Sequence, residues 1–151
     1  MTPFRRRGHQ AGVMLLEALI AILIFSVGIL AIVGMQATAI QDMGEAKYRT
    51  EAAFLANRIV AEMWGSMGTN PAQVQANLGA FVYDGSGAPP AMIADWVGTV
   101  QDRLPGAKEF PPIITVGVGN DVTVTVRWRA ARDKSEGATA HSYQAIAYLN
   151  P

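Results

Sequence analysis

Polar and apolar positions divide the chain into three regimes. From Val13 to Met35 the sequence VMLLEALIAILIFSVGILAIVGM is apolar at almost every position, and its only charged residue is Glu17. As a helix rising about 1.5 Å per residue, this run reaches about 35 Å, enough to cross the hydrocarbon core of a bilayer. After Met35 the pattern turns amphipathic. Gly44, Tyr48, Ala52, Leu55, Ile59 and Met63 recur at steps of three or four, which carries the same helix on to about Trp64 with one apolar stripe. The opposite face holds Asp42, Glu45, Lys47, Arg49, Glu51, Arg58 and Glu62, a mixture of signs that reads as solvated surface rather than a binding patch.

Breakers define the third regime. The long helix is expected to stop at Gly65, with Gly68, Thr69, Asn70 and Pro71 marking the break, and a short helix follows from Pro71 to Leu78. The stretch DGSGAPP, Asp84 to Pro90, has the composition of a flexible loop. Ile93, Trp96, Val97, Val100 and Leu104 then share one face of a further helix, directed at a core and ended by Leu104, Pro105 and Gly106. Past Pro111 and Pro112 the period changes to two. Ile114, Val116 and Val118, a turn at Gly119, Asn120 and Asp121, and then Val122, Val124, Val126 and Trp128 predict a hairpin. Thr115, Thr123, Thr125, Arg127 and Arg129 fall on its other face, so the sheet should be covered on one side by the long helix and wet on the other. A polar loop from Ala131 to Thr139 leads to a last strand near His141 to Leu149. The predicted class is α+β: a long N-terminal helix, membrane-spanning and then amphipathic, packed on a small antiparallel sheet.

Composition sharpens this picture in three places. At 151 residues there is room for one modest head domain beside the apolar helix. Arg5, Arg6 and Arg7 stand immediately before the apolar run, which by the positive-inside rule keeps the N-terminus cytoplasmic and delivers the remainder outside. The chain has no cysteine, so neither a disulfide nor thiol chemistry is available to it. Within the apolar run Glu17 is the informative residue, because a carboxylate in hydrocarbon costs about 2.5–3.5 kcal/mol on insertion scales and normally marks function.

A search for catalytic or metal-binding groups yields little. His9 precedes the apolar run and His141 is alone in the head, where it reads as a strand-surface residue, so no His triad or His-based metal cluster can be assembled. Asp84, Asp95, Asp102, Glu109, Asp121, Asp133 and Glu136 lack the spacing of a metal loop or of an E-x-x-H motif. The glycines at Gly85, Gly87, Gly117 and Gly119 are turn residues with no G-K-[ST] after them. Trp64, Trp96 and Trp128 fall at core-facing or helix-end positions and read as packing. No catalytic residue, metal, cofactor or small-molecule substrate is expected.

One combination is specific. A basic leader with Arg5, Arg6 and Arg7 ends at Gly12, an apolar Val13 follows, and Glu17 is the fifth residue counted from Val13. This resembles the type IV prepilin family. The resemblance implies that prepilin peptidase cuts between Gly12 and Val13 and N-methylates Val13. It divides the chain into a leader (1–12), a transmembrane and assembly helix (13–36) and a periplasmic head (37–151). It also assigns Glu17 to subunit register, paired with the new amine of its own or a neighbouring chain, since a free α-amine is largely cationic at neutral pH. Removal of the leader takes three of the twelve basic residues and none of the twelve acidic ones, leaving nine against twelve and a net charge of −3. That balance argues against a nucleic-acid surface.

Val13 stands where the family usually has Phe, and Gly34 where major pilins commonly have Pro; the second favours a minor pilin. The stretches W-x-x-x-V-x-x-x-L-P-G at Trp96 to Gly106 and VTVTVRW at Val122 to Trp128 resemble PilV-type minor pilins, type IV pilus modification proteins. The partners so implied are prepilin peptidase, other minor pilins, the major pilin, the inner-membrane assembly platform and membrane lipid. The implied location is the inner membrane, single-pass with a periplasmic head, and the extracellular pilus when incorporated.

Four other readings share parts of the pattern. Ala37, Thr38 and Ala39 form an A-x-A signal-peptidase site, although the preceding apolar run is longer than a secretory h-region and carries Glu17. A plain signal anchor leaves Gly12 and Glu17 as coincidences. A type II secretion minor pseudopilin of the tip complex would carry the same leader and helix. A membrane-anchored periplasmic enzyme would need a convergent set of titratable groups, which the sequence does not display.

Overall fold

The computed structural model describes residues 11–68, 70–129 and 140–149. The chain forms two compact units, Met1–Asp42 and Met43–Pro151. A single helix, α1 (Ala11–Ser66), provides the described part of the first unit and the opening of the second. It contains no proline, and Gly28, Gly34 and Gly44 lie inside it without ending it.

α1 stops one residue beyond the expected Gly65. The residue that takes the left-handed conformation is Gly68, at φ 70°, and the carbonyls at and just past the helix end are satisfied from α2. Asn77 Nδ2 donates to the carbonyl oxygens of Ser66 at 2.9 Å and Met67 at 3.3 Å. Asn77 belongs to α2 (Pro71–Gly79), whose first turn closes on Asn70: the N–H groups of Gln73 and Val74 donate to the Asn70 carbonyl at 2.9 and 3.1 Å. Proline at the first helical position has no N–H to leave unpaired.

The loop from Asp84 to Pro90, expected to be flexible from its composition, is pinned at its start. Asp84 Oδ1 accepts from Ser86 N at 2.8 Å and from Ser86 Oγ at 2.6 Å, and the Tyr83 hydroxyl donates to the Gly87 carbonyl at 3.3 Å. α3 (Ala94–Arg103) follows, with Asp95 in its first turn and Arg103 in its last, each favourable to the helix dipole.

The sheet is an antiparallel meander in the order β1-β2-β3, with β1 (Ile113–Val116), β2 (Asp121–Trp128) and β3 (His141–Tyr148). Ile114 pairs with Val124 across the first ladder, and Val124 with Ala145 across the second, so buried residues align across the strands. The hairpin turns earlier than expected. β1 ends at Val116, Gly117 N donates to the Asp121 carbonyl at 2.8 Å, and Asn120 adopts φ 58°. Val118, assigned to the strand from its alternation, stands in this turn and is fully exposed. The predicted loop from Ala131 to Thr139 lies outside the described residues.

A single core joins these elements. It holds Ala52, Leu55, Ala56, Ile59 and Met63 of α1, Val74 and Leu78 of α2, and Trp96, Val97 and Val100 of α3. Ile114 and the inward residues of β2, Val122, Val124, Val126 and Trp128, complete it from the sheet. The amphipathic stripe of α1 thus buries the apolar side of the sheet, while Thr115 on the opposite face is exposed and Thr123, Thr125 and Arg127 are half-buried. Trp64, expected at a core-facing or helix-end position, lies near the end of α1 and is 47% exposed.

Candidate functional site

Among its described residues the first unit presents an apolar helix with nothing buried against it. From Val13 to Ile40 its large apolar side chains are 45–73% exposed. The helix is long and apolar enough to cross a membrane. Its hydroxyls suit that setting, because each spends its proton on the helix itself. Ser26 Oγ donates to the Ile22 carbonyl at 2.7 Å and Thr38 Oγ1 to the Gly34 carbonyl at 3.3 Å. Polar groups without partners in hydrocarbon would each cost several kcal/mol.

Glu17 has no partner among the described residues and is exposed. It lies four positions after Val13 in the same helix, so the two residues share a face one turn apart. Val13 is 65% exposed, and a Cβ placed on Gly12 would meet nothing within 4 Å. Among the described residues nothing crowds the backbone between Gly12 and Val13. Arg5, Arg6 and Arg7 lie outside the described residues.

In the second unit, charges expected on a solvated helix face are partly recruited into tertiary pairs. Glu51 of α1 accepts from Arg103 Nη1 of α3 at 2.7 Å. Glu45 Oε1 lies 3.3 Å from His141 Nδ1, and the His141 ring stacks on Trp128 with centroids 5.9 Å apart and planes 21° from parallel. His141, read from sequence as a plain strand-surface residue, thus connects α1 to the start of β3. Arg58 and Glu62 pair along the exposed face as expected, at 3.0 Å. Arg129 bridges Glu109 at 3.0 Å and places its guanidinium carbon 5.3 Å from the Phe110 ring centre.

Comparison with protein-family models, with curated proteins and with solved structures finds no match. The reading of the site therefore rests on its own geometry.

Among the described residues no group of three or more His, Asp or Glu side chains converges as a metal site would. Asp84 is held below the ordinary carboxylate pKa, first by the Ser86 hydroxyl and then by the Ser86 N–H, an arrangement that fixes a turn and keeps the carboxylate ionised. Asp133 and Glu136 lie outside the described residues. A shallow depression of about 440 Å³ near the end of α3 is lined by Tyr48 and the segment from Gln101 to Leu104, among others. Its polar groups are of mixed sign, and Arg103 is already committed to Glu51. The strongest candidate for function is therefore the exposed apolar helix with Gly12, Val13 and Glu17 at its start.

Proposed function

We propose that this chain is a minor pilin: processed after Gly12, N-methylated at Val13, anchored in the inner membrane, and active in assembling or priming a type IV pilus. One observation carries the reading. Within the single helix α1, an exposed apolar segment whose one acid lies a turn after Val13 passes into a segment buried in the head.

An exposed apolar run of this length requires lipid or other apolar helices around it. A subunit that leaves the bilayer for a fibre exchanges the first for the second, and the same side chains serve in both. Cleavage after Gly12 would create an amine on the face that carries Glu17, one turn away. Cation and carboxylate then compensate each other within one subunit or between neighbours, and the charge that is costly in lipid becomes a means of setting register. Prepilin peptidase, other minor pilins, the major pilin and the inner-membrane assembly platform are the partners this role requires.

Mass spectrometry of the N-terminal peptide, recovered from cells with active prepilin peptidase, tests the proposal. The expected peptide begins at N-methylated Val13. A chain beginning at Ile40 would assign the apolar run to a cleaved signal peptide, and one beginning at Met1 or Thr2 would make it a plain anchor.

A further inference from the structure

The outward side of α1 in the second unit is charged only at its margins. At alternating steps of four and three residues, Met43, Lys47, Thr50, Phe54, Ala61 and Trp64 fall in one line, with Asn57 between Phe54 and Ala61, and all are exposed. Met43, Phe54 and Trp64 expose 68%, 56% and 47% of their surface. The other charges of this half flank the line, and several are paired: Glu45 with His141, Glu51 with Arg103, and Arg58 with Glu62. Thr50 Oγ1 donates to the Ala46 carbonyl at 2.9 Å, as Ser26 and Thr38 donate to carbonyls four residues back in the apolar run. The line carries one charge, Lys47, which has no ion-pair partner among the described residues.

The apolar run holds a complementary line. Val13, Glu17, Ile20, Ile24, Val27 and Gly34 follow at the same steps, are exposed, and carry one charge of the opposite sign. Glu17 and Lys47 are thirty residues apart. Setting Glu17 of one helix beside Lys47 of a parallel one lays Val13 to Met35 along Met43 to Gly65, so the run ends one residue short of the end of α1. The same offset puts Ile24 beside Phe54, and Gly34, the residue of its line without a side chain, beside the bulky Trp64. Alternating steps of four and three are the spacing of a parallel two-helix seam, and here like positions of the two repeats meet.

We propose that the line from Met43 to Trp64 seats the apolar run of a second copy of this chain, parallel and displaced by thirty residues, about 45 Å, with Glu17 of one copy paired to Lys47 of the other. The inference rests on the reading of the run as a segment that exchanges lipid for other helices. Parallel alignment keeps α1 pointing the same way in every copy, as a chain anchored by that helix requires. The contact is heterologous, since each copy offers its run to one neighbour and its outward line to another, and such contacts build open series rather than closed pairs. Other offsets leave both charges facing apolar side chains, so the pair selects one register. A carboxylate has two oxygens, and Glu17 can serve Lys47 and an amine at Val13 together.

The absence of cysteine makes the register measurable in the full chain, in membrane and sheared-fibre fractions of cells with active prepilin peptidase. Ile24→Cys combined with Phe54→Cys should give dimers and larger oligomers on mild oxidation, because a disulfide needs Cα atoms within about 7 Å. Each substitution alone should give at least tenfold less. So should Ile24→Cys combined with Met43→Cys, a pair eleven residues, or about 16 Å, out of register. No product from Ile24→Cys with Phe54→Cys, or equal yields from the two pairs, overturns the proposal.

Adding Lys47→Glu, which sets two carboxylates together, should cut the yield at least fivefold, whereas Lys47→Arg should keep it. Arg58→Glu, the same change of charge away from the line, should leave it unaltered. A yield indifferent to Lys47→Glu, or lowered as much by Arg58→Glu, overturns the pairing. The N-terminal peptide of the same samples separates this outcome from the reading beneath it. Chains that begin at N-methylated Val13 and do not cross-link refute the register alone, whereas a start at Ile40 removes the run and refutes both.

Discussion

The indole N–H of Trp96 in α3 donates to the carbonyl oxygen of Leu55 in α1 at 2.9 Å, across 41 positions of sequence. Leu55 is fully buried and Trp96 nearly so. A carbonyl in the middle of a helix has a second lone pair after bonding the N–H four residues on, and here it satisfies a buried donor that would otherwise lose its hydrogen bonds to water. The bond ties the amphipathic half of α1 to the second helical layer of the head.

Trp96→Phe should lose this bond while keeping an aromatic ring in the core, at a cost of about 1 kcal/mol or somewhat more. Trp96→Ala adds a cavity and should cost about 3–5 kcal/mol. Urea denaturation of the head, with unchanged dependence on denaturant for Trp96→Phe, is the measurement. Equal losses for the two variants would mean that the ring contributes nothing beyond its hydrogen bond.

A fragment beginning at Ala37 should be soluble and folded, because it drops the exposed apolar run and keeps Ala52, Leu55, Ile59 and Met63 over the sheet. Circular dichroism should show both helix and strand, with a cooperative thermal transition. A fragment that is unfolded under native conditions would show that the core needs the apolar run as well.

Asp84 supplies a pH dependence of known sign. Its native pKa lies below the ordinary 3.8 because Ser86 donates two hydrogen bonds to the ionised form. The contribution is present above pH 3.8 and is lost as pH falls through the lowered native value. Titration of the Asp84 carboxyl carbon by NMR should give a midpoint below 3.8, and Ser86→Ala should raise it toward that value. A midpoint unmoved by Ser86→Ala would remove the hydroxyl as the cause.

Glu17→Val should leave membrane insertion as good as before or better, since a cost of about 2.5–3.5 kcal/mol for charge in the hydrocarbon disappears. Cleavage after Gly12 should persist. On the proposed reading incorporation should fall, because a processed Val13 amine would lose the anion that compensates it in an apolar surround. Membrane and sheared-fibre fractions of wild type and variant make the comparison, and equal incorporation would sink the role assigned to Glu17.

The division between what the sequence reveals and what it conceals follows from range. Periods of 3.6 and 2 located the buried stripe Ala52, Leu55, Ile59 and Met63, the face Trp96, Val97 and Val100, and the inward set of β2, because each is a local repeat that burial on one side enforces. The same repeat misplaced Val118, since alternation alone does not say where a strand turns; that is decided by the Gly117 to Asp121 closure and the left-handed Asn120. Glu45 and Glu51 looked like plain solvated charges, because a helix face can be read locally but its partners His141 and Arg103 arrive from distant elements. At the candidate site the four-residue step from Val13 to Glu17 was legible from the start, being a property of one helix.

The 41-residue gap between Leu55 and Trp96 also sets an order of events during synthesis. α1 leaves the ribosome complete, with its inner stripe bare, before α3 exists, and β2 arrives later still. Closing such a gap costs loop entropy before any contact repays it, so helix-to-sheet docking is the slow, late step, whereas the sheet itself needs only neighbour-to-neighbour hairpins. For that interval Leu55, Ile59 and Met63 are a sticky surface in a chain whose first segment is apolar as well. A nascent head of this design carries that stripe uncovered until α3 and the sheet arrive to bury it.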